Sequence, residues 1–412
     1  MPQWSDYTNG QRIKILRGRE ITQPQLAERC GLSVVTIQKA EQDKVLSLTT
    51  LLRIAGALGV DTSVILGQQA PRRAMSMDDR AMLRELSRAV HDSWVGLLPR
   101  TVAAPSADEL RAAVDACWAR YWEGHYAEAG AIVAPLLEAA TAHRHEQPHD
   151  RQATAWGLIS DAHRLAAYVA NLMGARDLAY AAIGHAQEAA ESAADNMRHA
   201  LVTSGRAWVY LRDSRLKAAL DLAEKSAVDI EPRFSRATPG ELVAYGSHVN
   251  FAAVVAARLE KKERAKEFLS QSHAAGARLG EEIAAHGTRW GPVSATTQAV
   301  GVNVGLGRIG KALALADDIK DVSALSPAAQ NRYSMDLALA QAHARQWDAS
   351  LDTLEETLTK APEWSRHQVL PGVIVEKVGR ASTARLRRVS KLLGVSNPVT
   401  GGFDTATEKS AL

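Results

Sequence analysis

The feature that most constrains this chain is a recurring alanine. From Ser106 onward, six short segments read alike: "GHYAEA", "MGARDLAYAAIGHA", "LRDSRLKAALDLAEKS", "LEKKERAKEFLSQS", "LGRIGKALALADDI" and "ARQWDASLDTLEET". Each follows a long apolar helical stretch and opens a second one. Their equivalent alanines, Ala129, Ala179, Ala219, Ala265, Ala312 and Ala349, recur at roughly 37 to 50 residues. No stretch shows the apolar–polar alternation of a half-buried strand. A helix pair of this kind cannot bury its apolar face alone, so such pairs must stack on their neighbours. The region is expected to be a right-handed α-solenoid of about six pairs, with the first helices lining a concave surface.

Composition agrees. A chain of 412 residues with 23% charged residues can bury a large core without staples. Two cysteines, Cys30 and Cys117, give no disulfide framework and lean towards a reduced compartment. There is no apolar stretch at the start to serve as a secretory signal, and no run of about 18 apolar residues to span a membrane. A cytoplasmic protein without membrane contact is expected. The net charge of only +3 means that nucleic-acid binding would have to come from a local patch.

The first 67 residues supply one. Asn9 to Arg17 has Ile13 and Leu16 at helical spacing, with Arg12, Lys14 and Arg17 around them. Thr22 is placed to cap a second helix, "QPQLAERC", with Pro24 in its first turn. Gly31 supplies a tight turn. Ser33 caps a third helix, Val34 to Gln42, with Ile37 and Ala40 inward. Ser47 or Thr49 starts a fourth, and Asp61 caps a closing one. Two helices joined through a glycine turn are a helix-turn-helix arrangement, whose second helix enters the major groove.

The stretch "TQPQLAERCGLSVVTIQKAEQDK…LSLTTLLRIAGALGV" resembles the XRE-type, phage-repressor-like helix-turn-helix domain over about residues 9–67. The resemblance implies a lambda-repressor-like fold and an ion pair between Arg17 and Glu41. It also implies DNA contacts: Gln23 to phosphate at a helix N-terminus, Val34, Val35 and Lys39 to base edges, Ser33, Thr36 and Gln38 beside them, and Lys44 to phosphate. Two departures stand out. The connection at Gly18 to Glu20 is about a residue short. Asp43 replaces the usual glycine after the third helix and brings a negative charge near the expected DNA backbone. Valines cannot hydrogen-bond, so Val34 and Val35 should meet thymine methyls.

Between the two regions, "GQQAPRRAM" reads as a linker. Ser76 with Asp79 resembles a capping box for an amphipathic helix running to about Trp94, striped by Leu83, Leu86 and Val90. That helix either pairs across a dimer or packs on its own C-terminal region. The expected layout is therefore all-α: a helix-turn-helix domain over 1–68, a linker with an amphipathic helix over 69–105, a helical repeat domain over 106–395, and a loose tail over 396–412. "RASTARLRRVSKLLGV" should be the last helix, capping the stack, with its basic face (Arg380, Arg385, Arg387, Arg388, Lys391) solvated; the alternative is contact with nucleic acid or a membrane.

"GHYAEA" matches the G-x-Y-x-x-A core of the tetratricopeptide repeat. An XRE-type domain followed by tetratricopeptide-like repeats resembles the RRNPP group of peptide-responsive regulators and actinobacterial regulators of the same layout. The resemblance implies a homodimer that reads an inverted-repeat operator in double-stranded DNA. It also implies an effector, a short signalling peptide or small signal molecule, held in the groove by asparagines. An asparagine amide can pair with both sides of a peptide unit and is a mediocre helix former, so its place mid-helix asks for a reason. Asn171, Asn250, Asn303 and Asn331 fall on or near first helices. Tyr245 and His248 accompany them, and Arg206 and Arg332 are candidates for a ligand carboxylate. Each asparagine taken alone has a plainer reading as an inter-helix or capping bond. The rival readings are a solenoid that docks a protein partner, and a scaffold that binds no DNA.

Other constellations carry less. His143, His145, His149 and Asp150 in "HRHEQPHD" lie in an expected interhelical loop without the fixed helical spacing of a metal site. No phosphate loop, G-x-S-x-G or C-x-x-C occurs, so no catalytic residue, metal or cofactor is assigned and the chain is not read as an enzyme.

Overall fold

The structure is a computed structural model and describes residues 4–18, 21–44, 47–68, 77–97, 104–379 and 384–394. The expectations for Glu20, the Ser76 cap, Arg380 and the 396–412 tail lie outside these residues. The described chain is all-α apart from one two-stranded hairpin. It divides into two compact units: residues 1–75 with 334–412, and residues 76–333. No helix among the described residues is long and apolar enough to cross a membrane.

The first unit opens with five helices: α1 (Asn9–Arg17), α2 (Gln23–Cys30), α3 (Val34–Glu41), α4 (Leu48–Ala57) and α5 (Thr62–Ile65). Each is capped by the side chain just before it, Thr8, Thr22, Ser33, Ser47 and Asp61 respectively. Ile13, Leu26, Ile37, Ile54 and Ile65 form its fully buried core. Arg12 is buried with them. It donates to the carbonyls of Trp4 and Ile65 and to Asn9 Oδ1, and burial pulls its pKa down to about 10.

The second unit begins with α6 (Met77–Trp94), whose stripe of Leu83, Leu86 and Val90 is buried against later helices of the same unit. Then come α7 (Ala107–Glu123), α8 (Tyr126–Glu146), α9 (Gln152–Leu172), α10 (Arg176–Ser192), α11 (Asn196–Arg212), α12 (Leu216–Asp229), α13 (Pro239–Arg258) and α14 (Lys262–Leu279). The hairpin of β1 (Ile283–Ala285) and β2 (Thr288–Trp290) follows, then α15 (Pro292–Gly305) and α16 (Ile309–Asp318). α8 packs on both α7 and α9, and α7, α9, α11, α13 and α15 touch in succession. That is the contact pattern of stacked helix pairs. His143 and His145 lie in the last turns of α8, not in a loop.

α17 (Pro327–His343) begins in the second unit and ends in the first. α18 (Trp347–Lys360), α19 (Pro362–Arg366), α20 (Leu370–Val378) and α21 (Ala384–Leu393) complete the first unit. α20 packs on the N-terminal helices. Glu376 accepts from Asn9 Nδ2 at 3.2 Å, and a Cβ on Gly372 would stand 3.1 Å from Leu66. The basic face of α21 is partly neutralised: Arg385 pairs with Asp352 and Glu355, and Arg388 with Glu355 at 2.7 Å.

The repeat is visible in the backbone. Six inter-helix turns share one shape: a residue in the left-handed region (Gly124, Gly174, Ser214, Glu260, Gly307 or Arg345, φ 59 to 92°). The next residue has φ between −80 and −91° and ψ between 57 and 76°. Four positions past that second residue stand Ala129, Ala179, Ala219, Ala265, Ala312 and Ser350, all fully buried. The sixth equivalent is thus Ser350, not Ala349. The serine is fully buried like the five alanines, and its hydroxyl donates to the carbonyl of Ala338 at 2.8 Å.

Sequence reading had no place for the hairpin. Ile283 pairs with Trp290 and Ala285 with Thr288. His286 and Gly287 link them with φ of 52° and 75°, the two positive values of a type I′ turn. Trp290 lies so close over Gly246 of α13 that a Cβ there would overlap its ring.

Candidate nucleic-acid interface

α2 ends at Gly31, whose φ of 60° and ψ of 38° place it in the left-handed region. The Ser33 hydroxyl then caps α3 by accepting from Thr36 N at 3.2 Å. Ile37 and Ala40 point inward with 0% and 2% exposure. The opposite face is set free: Val35 is 56% exposed, Ser33, Gln38 and Lys39 are exposed, and Val34 and Thr36 are half-buried. An isolated large apolar residue is ordinary on a protein surface. Here it sits beside Gln38 and Lys39 on the helix that follows a glycine turn, a composition suited to base edges. Lys44 is exposed just beyond.

A polar knot holds α2 and α3 in register. Arg17 Nε and one terminal nitrogen grip the two Glu41 oxygens at 2.6 and 3.2 Å, so the ion pair implied by the resemblance is formed. Gln23 Nε2 donates to the same carboxylate at 2.8 Å. Burial alone would raise the Glu41 pKa, but the bonds from Arg17 and Gln23 and the nearby positive charges hold it below its ordinary value. The Gln23 amide has two N–H groups. One is used on Glu41, which fixes the side chain at the N-terminus of α2, where anions are favoured.

Asp43, expected to bring a negative charge near the DNA backbone, is exposed, with its carboxylate bonded to the start of α1. It takes the left-handed conformation, φ 57°, that a glycine would adopt. Its carboxylate accepts from Gly10 N at 2.6 Å and from the Thr8 hydroxyl at 2.7 Å. The charge therefore serves the N-terminus of α1. Gly10 is required in this contact, because a Cβ would stand 2.7 Å from the Glu41 carbonyl oxygen.

Residues 13–65 match the family model described as "Helix-turn-helix". This part of the chain is a helix-turn-helix domain. Over 64 residues it is 47% identical to the "Immunity repressor protein" of Bacillus phage phi105, covering 15% of this chain and 44% of that protein. The chain thus spans less than half the length of that relative. No solved structure matches the chain. The eight residues expected to contact DNA all lie within residues 13–65: Gln23 starts α2, Ser33 caps α3, Val34, Val35, Thr36, Gln38 and Lys39 lie on α3, and Lys44 lies just beyond it.

The candidates for a ligand groove are dispersed through the second unit. Asn171 on α9 is fully buried, and neither its amide nitrogen nor its oxygen has a partner. Arg206 on α11 is half-buried, with a buried Nε that makes no bond. Tyr245, His248 and Asn250 lie buried on α13. Burial pushes the Tyr245 phenol up to about 12 and the His248 imidazole down to about 4. Asn250 accepts from Ser272 at 3.1 Å, and Asn303 on α15 donates to the Ala299 carbonyl at 2.7 Å. Asn331 is buried and Arg332 half-buried on α17.

Proposed function

We propose that the protein is a sequence-specific transcription regulator that reads an inverted-repeat operator as a homodimer, and that its helical repeats, of tetratricopeptide type, sense a ligand. The observation that carries the DNA-binding reading is α3. Its inward face is used up by Ile37 and Ala40, while Val35, Gln38 and Lys39 stand in solvent. Dimerisation is inferred from the short half-site that one such module reads. The likeness to a phage immunity repressor supports a role in transcription. Ligand sensing draws its support from the unpartnered amide of Asn171, since a buried polar group without a bond is costly. The resemblance in layout to the RRNPP regulators points the same way.

Selection of genomic fragments by the full-length protein tests the reading. The expected outcome is an enriched inverted repeat with thymines opposite Val34 and Val35. Lys39→Ala and Gln23→Ala should weaken binding about tenfold each, within the range of a charged or helix-terminal contact. Enrichment of no repeat, or binding by both variants as tight as wild type, would remove the DNA assignment. G·C pairs at every contacted position would show the orientation of α3 to be wrong.

A further inference from the structure

A half-open cavity of about 280 Å³ lies in the second unit between α7, α9, the start of α11 and the tip of the hairpin. Its apolar wall is Val114, Leu158, Met197 and Leu201, with Trp118. Its polar wall holds three arginines and three aspartates, and they are not equivalent. Arg198 is committed to Asp161 at 3.1 Å and to Asp195 at 2.5 Å. Arg111 pairs with Asp108 on the surface. Arg164 is different.

Arg164 is 6% exposed. Its guanidinium lies over the Trp118 ring at 4.7 Å and donates to the His286 carbonyl at 2.9 Å. It also bonds the hydroxyl of the half-buried Tyr168. Every partner is neutral, and no carboxylate among the described residues forms an ion pair with it. Burying a guanidinium without an anion is costly, and bonds to one carbonyl and one hydroxyl leave several of its five N–H groups unused. A second buried donor in the same wall, Trp118 Nε1, also lacks an acceptor. The groups that hold Arg164 are themselves fixed. Trp122 donates to the Gly287 carbonyl at 2.7 Å, and Gly287 packs so tightly on Trp118 that a Cβ would overlap the indole.

We propose that this cavity binds a small monocarboxylate with an apolar body, its carboxylate on the Arg164 guanidinium and its body against Val114, Leu158, Met197 and Leu201. The idea rests on the reading that this unit senses a ligand, and it names the site and the chemistry. A planar fork stacked on an aromatic ring matches a carboxylate in two-point contact. The volume is at the small end of ligand pockets, roughly 300–1,000 Å³. Arg198 already offsets Asp161 and Asp195, and Asp115 adds a negative charge to the lining, so a second negative charge on the ligand is disfavoured, as in phosphate or a dicarboxylate. The carboxylate has two possible sources, a free organic acid or the C-terminus of a short apolar peptide.

Full-length protein is titrated with 4-phenylbutyrate and its amide, with an acetylated apolar tripeptide in free-acid and amidated forms, and with inorganic phosphate. Calorimetry and tryptophan fluorescence are the readouts. At least one acid should bind about tenfold or more tightly than its amide, as expected for a charged bond, with phosphate silent. Tighter binding of the tripeptide acid assigns the source to a peptide end, and tighter binding of phenylbutyrate assigns it to a free acid. Arg164→Gln should erase the acid–amide difference. Met197→Trp fills the apolar wall without touching the fork and should abolish binding with helicity unchanged. It decides the matter if the Arg164 variant fails to fold. Equal binding of acid and amide, binding of neither, or discrimination retained in Arg164→Gln would overturn the proposal. Culture extract separates this site from sensing as such. If extract alters DNA binding by wild type and Arg164→Gln alike, sensing stands and this site falls. If extract alters neither while Arg164 still discriminates acid from amide, the site stands and sensing falls.

Discussion

The helices of the helix-turn-helix domain and the second helices of the repeats begin in different ways. α1 to α5 each start with a Ser, Thr or Asp side chain accepting a backbone N–H. α8, α10, α12, α14, α16 and α18 start with no side-chain cap at all. They rely on a left-handed residue and a fixed backbone turn, followed four residues on by a small buried side chain. The N-terminal domain is thus organised by side-chain polar groups, and the repeats by backbone shape and close packing. Changes in polar chemistry should fall hardest on the first and changes in backbone freedom on the second.

The largest expected effect follows from the polar knot. Glu41→Ala strips Arg17 and Gln23 of their shared acceptor, with the Arg17 and Glu41 side chains only 13% and 6% exposed. The loss should be about 3 kcal/mol, the lower end for breaking a buried pair from one side. Chemical denaturation of the full chain, followed by hydrogen exchange of α2 and α3, checks it. Protection lost in α2 and α3 but retained in α9 and α10 is the expected result. An unchanged domain would mean that its helices do not depend on the knot.

Acid should separate the two regions in the opposite order. His163 on α9 is fully buried, with neither ring nitrogen bonded. Its ring lies 5.6 Å from that of Trp94 and 5.3 Å from that of His185. Burial first, then His185 and His91, pull its pKa down to about 3. The folded value lies below the unfolded one, near 6.5. The stabilising term is therefore complete above about pH 6.5 and is lost as pH falls. By pH 5 the loss reaches about 2 kcal/mol. The Glu41 carboxyl, also depressed on folding, keeps its contribution until pH drops below its ordinary value of 4.5. Exchange protection across a pH series should fail first in α6, α9 and α10, starting near pH 6, while α2 and α3 hold. His163→Phe should shrink the early step without abolishing it, because burial also pulls His185 and His248 down to about 4.

The same contrast explains what was legible in the sequence. Caps are single residues with a fixed chemistry, so Thr22, Ser33 and Asp61 could be read directly, and Ile37 and Ala40 fixed which face of α3 remained in solvent. The repeat was legible through its alanines, because a close helix approach admits only a small side chain. That logic slipped by one residue at the end, where Ser350 does the work of alanine. The hairpin was hidden because His286–Gly287 lacks the usual Asn-Gly or Asp-Gly turn and each strand is three residues long. Arg164 was hidden for a further reason. Its meaning depends on Trp118 and His286, which are far away in sequence and reach it only through the stacking of α7 and α9 and the return of the hairpin. The nearest local hint was Asp161 and Arg164, one turn apart and the only Asp, Glu, Lys or Arg in α9.

The smallest expected effect tests the backbone half of the comparison. Glu260 holds a left-handed φ of 59° in the turn before α14, a conformation that costs a residue with a Cβ roughly 1–2 kcal/mol. Glycine would remove that strain, while its greater freedom in the unfolded chain costs about 0.4–1 kcal/mol. Glu260→Gly should therefore stabilise the protein, on the order of 0.5 kcal/mol by denaturation midpoint. Gly307 occupies the equivalent place before α16, and a Cβ there would meet nothing within 4 Å. Gly307→Ala then differs only in backbone preference and should destabilise by about 0.5 kcal/mol. Opposite signs at two equivalent turns would tie the start of these helices to φ alone. If both substitutions destabilise, the Glu260 side chain contributes to its turn, and the division between polar caps and bare backbone turns does not hold there.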